Sequence, residues 1–223
     1  MSPEAVDAVL LSLRVGVFSV AIGLPASFGI VWLCRVLPRP AAKALSILAL
    51  LPLVLPPVVT GYVLLLMLGP NSVLGGSLKY LGVAIAFNWK GAVVASTVMA
   101  IPLMVRALQL AWETLPLGLT HVAATLGASP VEQFRTITWP LLRPGVITAA
   151  ILGFAKSIGE FGATITLAAN IPGQTQTIPS AIFDLMQIPG GEREILVLCL
   201  VSVAFALGAL LASEWFARKG NGL

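Results

Sequence analysis

The chain has 223 residues, 58% of them hydrophobic and 10% charged, with a net charge of +4 and a mean hydropathy of +0.99. Soluble domains carry about 25% charged residues, so this composition excludes an ordinary water-soluble globule and assigns the chain to lipid. With one histidine, two cysteines and no G-x-x-x-x-G-K-S/T segment, it lacks the parts of a zinc cluster, a catalytic triad or a phosphate-cradling loop.

A spanning helix needs about 20 mostly apolar residues. Five stretches qualify, near 8–34, 44–68, 91–112, 141–169 and 194–217. The expected fold is therefore all-α and polytopic, one membrane domain over residues 1–223. No basic n-region precedes the first apolar run and no A-x-A site follows it, so the first span is expected to stay in the mature protein. Arg35, Arg39 and Lys43, then Arg106, Arg135 and Arg143, then Arg218 and Lys219 fall on one side of this topology. The positive-inside rule makes that side cytoplasmic, which places the N-terminus, with Glu4 and Asp7, outside and the C-terminus in the cytoplasm. Cys34 and Cys199 then lie at opposite faces, too far apart for a disulfide.

The second apolar stretch carries Pro52, Pro56 and Pro57. Each proline removes a backbone donor and crowds the preceding turn, so a bend or local unwinding is expected. Freed carbonyls at membrane depth need protein or a wet cavity beside them. Pro56, Pro57 and Thr60 are thus candidates for lining a pathway, against the alternative of a kink that serves packing alone. Residues 69–90 are turn-rich, and Phe87 and Trp89 suit a membrane interface.

Residues 116–140 interrupt the apolar pattern with HVAATLGASPVEQFRTITWP from 121 onward. Thr120 is a candidate cap for a first short helix carrying Val122, Ala123 and Leu126, and Gly127 can supply a left-handed end. Ser129, Pro130 and Glu132 form a capping-box pattern for a second helix with Val131 and Phe134 on one face, and Pro140 is expected to end it. The product is a helix-turn-helix along the membrane surface. Its apolar side chains fit either a partner's groove or the chain's own helices.

Lys156 and Glu160 stand four apart in the 141–169 stretch, on one helical face. Charges at that depth point to function or to a buried pair. A dianion in transit is better served by neutral donors than by a deep cationic well, so Ser157, Thr164 and Thr166 join Thr60 as candidate contacts, with Phe161 as a candidate gate. Residues 176–188 are too short, and too polar at Asp184 and Gln187, to cross. They read as an interfacial or re-entrant helix.

The loop resembles the one in permeases of ABC importers, where E-A-A, three residues, Gly, nine residues and I-x-L-P recur. Here His121-Val122-Ala123 is followed after three residues by Gly127 and after nine more by Ile137-Thr138-Trp139-Pro140. His121 stands where Glu is the rule. LPLVLPPVVTGY at 51–62 and SIGEFGATITLAANIPGQTQTIPSAIF at 157–183 are similar to the permeases of molybdate importers. The resemblance implies a homodimer in the bacterial inner membrane, non-catalytic, with no bound cofactor and no nucleic acid. It also implies two copies of a separate ATPase that hold ATP and magnesium, and a periplasmic protein that delivers molybdate. In such permeases the loop fits a cleft in the ATPase, which gives His121, Val122, Ala123, Leu126, Gly127, Ser129, Pro130, Phe134 and Pro140 a coupling role. Tungstate, sulfate or thiosulfate are the alternative cargoes. An ion-coupled carrier would need inverted repeats, and none is visible.

Overall fold

The computed structural model describes the backbone of residues 2–220 and, apart from Leu117, His121 and residues 217–220, their side chains. The roles expected of the His121 side chain and of the Arg218 and Lys219 charges fall outside that description. Among the described residues there are helices and no strands.

Helix α1 (Pro3–Val36) opens on Ser2, whose hydroxyl accepts from the Ala5 N–H, with Pro3 at its first position. Its buried stripe is almost all small: Ala5, Ala8, Ser12, Val15, Gly16, Ser19, Gly23, Ser27 and Val31. Small residues let helix backbones approach in lipid, where no hydrophobic force drives them together. That stripe meets α5 (Trp89–Glu113), the most enclosed of the candidate spans, and α8 (Trp139–Ile158). The three form the centre of the molecule, around Met104, Val105, Leu108 and Ala149.

The second apolar stretch is not one straight helix. Helix α2 (Arg39–Val54) and helix α3 (Pro57–Leu68) meet at a bend of 116°. A residue before proline is pushed out of the helical region. Leu55 precedes Pro56, and Pro56 precedes Pro57, so both are extended, with ψ of 143° and 134°. Pro52, lacking a following proline, stays inside α2. The segment after α3 holds a further short helix, α4 (Val73–Tyr80), capped by Ser72.

Helix α6 (Leu117–Thr125) and helix α7 (Pro130–Gln133) are the expected helix-turn-helix, with two corrections. Helix α6 begins after Pro116, and Thr120 lies inside it rather than at its start. Pro140 does not end the second helix. The chain widens into a π-turn at Phe134–Thr138, in which the Trp139 N–H reaches back to the Phe134 carbonyl, and continues directly into α8. The extra residue in that turn lets Pro140, which cannot donate, pass without breaking the helical path. Residues Pro130–Ile158 thus form one 29-residue helical rod.

The rod stops where a continuous 141–169 span was expected. Gly159, Glu160 and Phe161 break it, and α9 (Gly162–Ala168) resumes in a new direction, ending at Ala169 with φ 63°. Helix α10 (Ile178–Leu185) is, as expected, too short to cross. Its first N–H donates to the Ser12 hydroxyl of α1 at 2.8 Å. Helix α11 (Glu192–Gly220) packs on α8 and α10. Among the described residues four helices are long and apolar enough to span, and a fifth span is counted if the bent α2–α3 pair is taken as one broken span rather than a re-entrant loop.

Candidate coupling loop and translocation segments

Gly127 has φ 87°, a conformation open to glycine at no steric cost. Around it the Ala128 N–H donates to Ala123 O and the Gly127 N–H to Ala124 O, both at 3.0 Å, the double reach-back of a Schellman turn. The next helix starts at once. The Ser129 hydroxyl accepts from the Glu132 N–H at 3.3 Å, and the Glu132 carboxylate accepts from the Ser129 N–H and hydroxyl, both at 2.8 Å. Those bonds, the backbone donor first, hold the Glu132 carboxyl below the ordinary carboxylate range. Gln133 Nε2 adds a bond to Ala128 O at 2.8 Å. A turn closed from both sides keeps its apolar side chains in fixed positions. Leu126 is 82% exposed, Val122 57%, and Val131 and Phe134 are also exposed. These side chains pack on none of the chain's own helix cores.

The second constellation forms at the break after α8. Glu160 is 2% exposed and its carboxylate reaches both ways: Oε2 accepts from Lys156 Nζ at 2.6 Å, and Oε1 accepts from the Ala163 N–H at 3.0 Å. A cation at the end of one helix and a carboxylate at the start of the next complement the dipoles of both. Glu160 therefore ties the two helix ends together. Lys156, 28% exposed, keeps contact with the outside.

The break also joins the two segments singled out in the sequence, although they lie a hundred residues apart. Helix α3 packs along α9 so closely that a Cβ added at Gly61 would come within 2.7 Å of Ala163 O, and one at Gly162 within 2.9 Å of Pro57 Cβ. Pro56, Pro57 and Thr60 thus stand beside Glu160, Phe161 and Thr164. The candidate hydroxyls differ, however. Ser157 donates to Gly153 O, Thr164 to Glu160 O and Phe161 O, and Thr166 to Gly162 O, so in this conformation their protons are committed to the backbone. Thr60 is buried and its hydroxyl has no partner. Phe161 stacks on Phe183 of α10 at 5.3 Å between centroids, beside an apolar groove of about 570 Å³ lined by Ala155, Gly159, Pro179, Met186 and Phe205 among others.

Two features escaped sequence reasoning. Asp184 accepts from Asn170 Nδ2 at 2.6 Å and from Gln176 Nε2 at 2.8 Å, so the polarity that marked 176–188 as unable to cross in fact closes the loop between α9 and α10. Arg14, a charge inside the first apolar stretch, lies over the Trp89 ring at 3.7 Å. An isolated arginine within an apolar run was the available signal.

The pattern of the family described as "Binding-protein-dependent transport system inner membrane component" matches residues 20–218. The "Molybdenum transport system permease protein ModB" of Escherichia coli K12 is 49% identical over 213 residues, 95% of this chain and 93% of that one. The protein of the same description from Haemophilus influenzae is 45% identical over 215 residues, covering 96% and 94%. Among solved structures, a bacterial ABC transporter that imports alginate aligns with a TM-score of 0.71 at 16% identity, covering 99% of this chain and 80% of that one. The inward-facing methionine transporter MetNI aligns with a TM-score of 0.68 at 17% identity, covering 97% and 94%. At such identities the structural likeness establishes the fold, which is that of ABC importer permeases. By fold and by a match spanning most of its length, the chain belongs to the family of binding-protein-dependent transport system inner membrane components.

Proposed function

We propose that this chain is the membrane-spanning subunit of an ATP-driven importer that carries molybdate inward. It works as a homodimer with two copies of a separate ATPase and with a periplasmic molybdate-binding protein. Molybdate rests on the relatives, which are described as molybdenum permeases at 45–49% identity over nearly the whole chain; tungstate and sulfate are the competing cargoes. The chain itself performs no hydrolysis and holds no cofactor. ATP and magnesium belong to the ATPase.

The observation that carries the coupling role is the rigid, exposed apolar knuckle of Val122, Leu126, Val131 and Phe134, set on a turn closed by Gly127 and by the Ser129–Glu132 box. Such a knuckle seats in a partner's groove by the helix-in-groove mode. Because α7 runs without interruption into α8, a displacement of the docked loop is carried along the rod to the break at Gly159–Phe161. ATP binding, by closing the ATPase pair, draws the two loops of the dimer together and turns the rods. Glu160 then moves with α8 and α9 as the tie between them, and Pro56, Pro57, Thr60, Phe161 and Thr164 line or gate the path that opens. Ser157 shapes the same segment through the α8 backbone. The loop faces the cytoplasm, and the N-terminus the periplasm.

A Leu126→Cys variant cross-linked in membranes that contain the ATPase tests the docking. A permease–ATPase product that forms in wild-type background and disappears when Gly127→Val is added supports it. A correctly inserted Leu126→Cys chain that gives no product at any nucleotide state overturns it.

A further inference from the structure

The seam between α1 and α5 carries the same arrangement at each end. At one end Arg14 lies over Trp89 at 3.7 Å and Phe18 packs on the same ring at 5.6 Å. At the other Arg35 lies over Trp112 at 5.1 Å and Phe28 packs on that ring at 5.5 Å. Both arginines belong to α1 and both tryptophans to α5, so the two helices run side by side in the same direction.

The spacing has a physical meaning. Arg14 and Arg35 are twenty-one residues apart, about 31 Å along a helix, and the hydrocarbon core of a bilayer is about 30 Å thick. No charged residue lies between them on α1. Trp89 and Trp112, twenty-three residues apart, bracket nearly the same depth on α5, and tryptophan favours the interface. Both arginines are exposed, with exposed apolar side chains on the same helical face: Leu10, Val17 and Phe18 beside Arg14, and Trp32 one turn before Arg35. Side chains of that kind face acyl chains.

Stacking on a ring uses the face of a guanidinium and leaves its N–H edge unoccupied. Neither arginine has a hydrogen-bond acceptor or a carboxylate partner among the described residues. A cation at the headgroup level, turned to lipid and holding several unused donors in a planar fork, matches a phosphate oxygen pair.

We propose that Arg14–Trp89 and Arg35–Trp112 are two lipid-phosphate sites, one in each leaflet, that bind the phosphodiester of a phospholipid headgroup and set the depth of the α1–α5 pair in the bilayer. The ligand is the lipid's own phosphate, with free oxyanions as the competing source.

The test uses the intact transporter, permease with ATPase, purified in detergent and titrated with phosphatidylglycerol while bound lipid is counted by native mass spectrometry. Arg14→Gln and Arg35→Gln should each weaken retention about fivefold, the value of one basic residue at a membrane surface, and the double variant should multiply the two. Arg14→Lys with Arg35→Lys, which keeps both charges at the same depth but gives up the planar fork, should retain lipid less well than wild type and better than the double Gln variant. Phosphatidylglycerol binding unchanged in the double Gln variant overturns the proposal. So does a loss of lipid in the Gln variants that is matched by a fall in the transporter's melting point, because the arginines would then be structural. Displacement of the lipid by inorganic phosphate or molybdate at equal phosphate or molybdate concentration would assign the sites to free oxyanions instead.

Discussion

Gly127 stands at φ 87° in open space, with no atom beyond its own chain neighbours within 4 Å of where a Cβ would lie. A substitution there therefore meets backbone strain rather than a clash. The left-handed conformation costs a non-glycine residue about 1–2 kcal/mol, so Gly127→Val should loosen the turn, weaken ATPase binding about tenfold or more, and leave membrane insertion unchanged, as co-purification reads directly. Glu160 offers the opposite case. Lys156→Met would leave its buried carboxylate with the Ala163 N–H as its one remaining partner, and an uncompensated buried charge costs about 3–5 kcal/mol. Glu160→Gln keeps an oxygen for that N–H and strands only the half-exposed lysine. Thermal melts of the purified transporter should show the Lys156→Met loss to be clearly the larger.

At the scale of elements, the capping box at Ser129 and Glu132 couples the loop to pH. The Glu132 carboxyl titrates below its ordinary range because the Ser129 N–H and hydroxyl favour the ionised form. With the folded value depressed, the contribution is complete above the unfolded value and is lost as pH falls through the folded one. ATPase association of the wild type should thus weaken in acid over that window, whereas Glu132→Gln should show a flat dependence there. The contact between α3 and α9 is the other element-level case: a Cβ at Gly61 would press on Ala163 backbone atoms that cannot yield, and overpacking of this kind costs about 1–3 kcal/mol. Gly61→Ala should lower both the melting point and transport.

Local signals made much of this legible. The Gly127 end, the Ser129 box, the proline bend and the shortness of α10 each follow from a few neighbouring residues. The helix start at Pro116, the passage through Pro140 and the break at Gly159–Phe161 did not, since each is decided by packing. A proline can be carried by a π-turn, and a glycine pair in an apolar run reads alike whether the helix continues or stops. The meeting of 51–62 with 157–168 depends on α3 folding back through 116°, a tertiary event with no local signature. Arg14 was hidden because its partner ring lies seventy-five residues away.

For the whole molecule, the account joins a docking knuckle at one end of the Pro130–Ile158 rod to a charged, glycine-bounded break at the other. Family membership and fold establish a permease of the ABC importer type; power and cargo are the proposal. Both meet in molybdate uptake by proteoliposomes containing this chain, the ATPase and the binding protein, with ATP enclosed on the loop side. Uptake should require all three proteins and ATP hydrolysis, prefer molybdate over sulfate, and fall at least tenfold with Gly127→Val. Uptake by the chain alone on an ion gradient, or ATP-driven uptake indifferent to that substitution, would contradict the account.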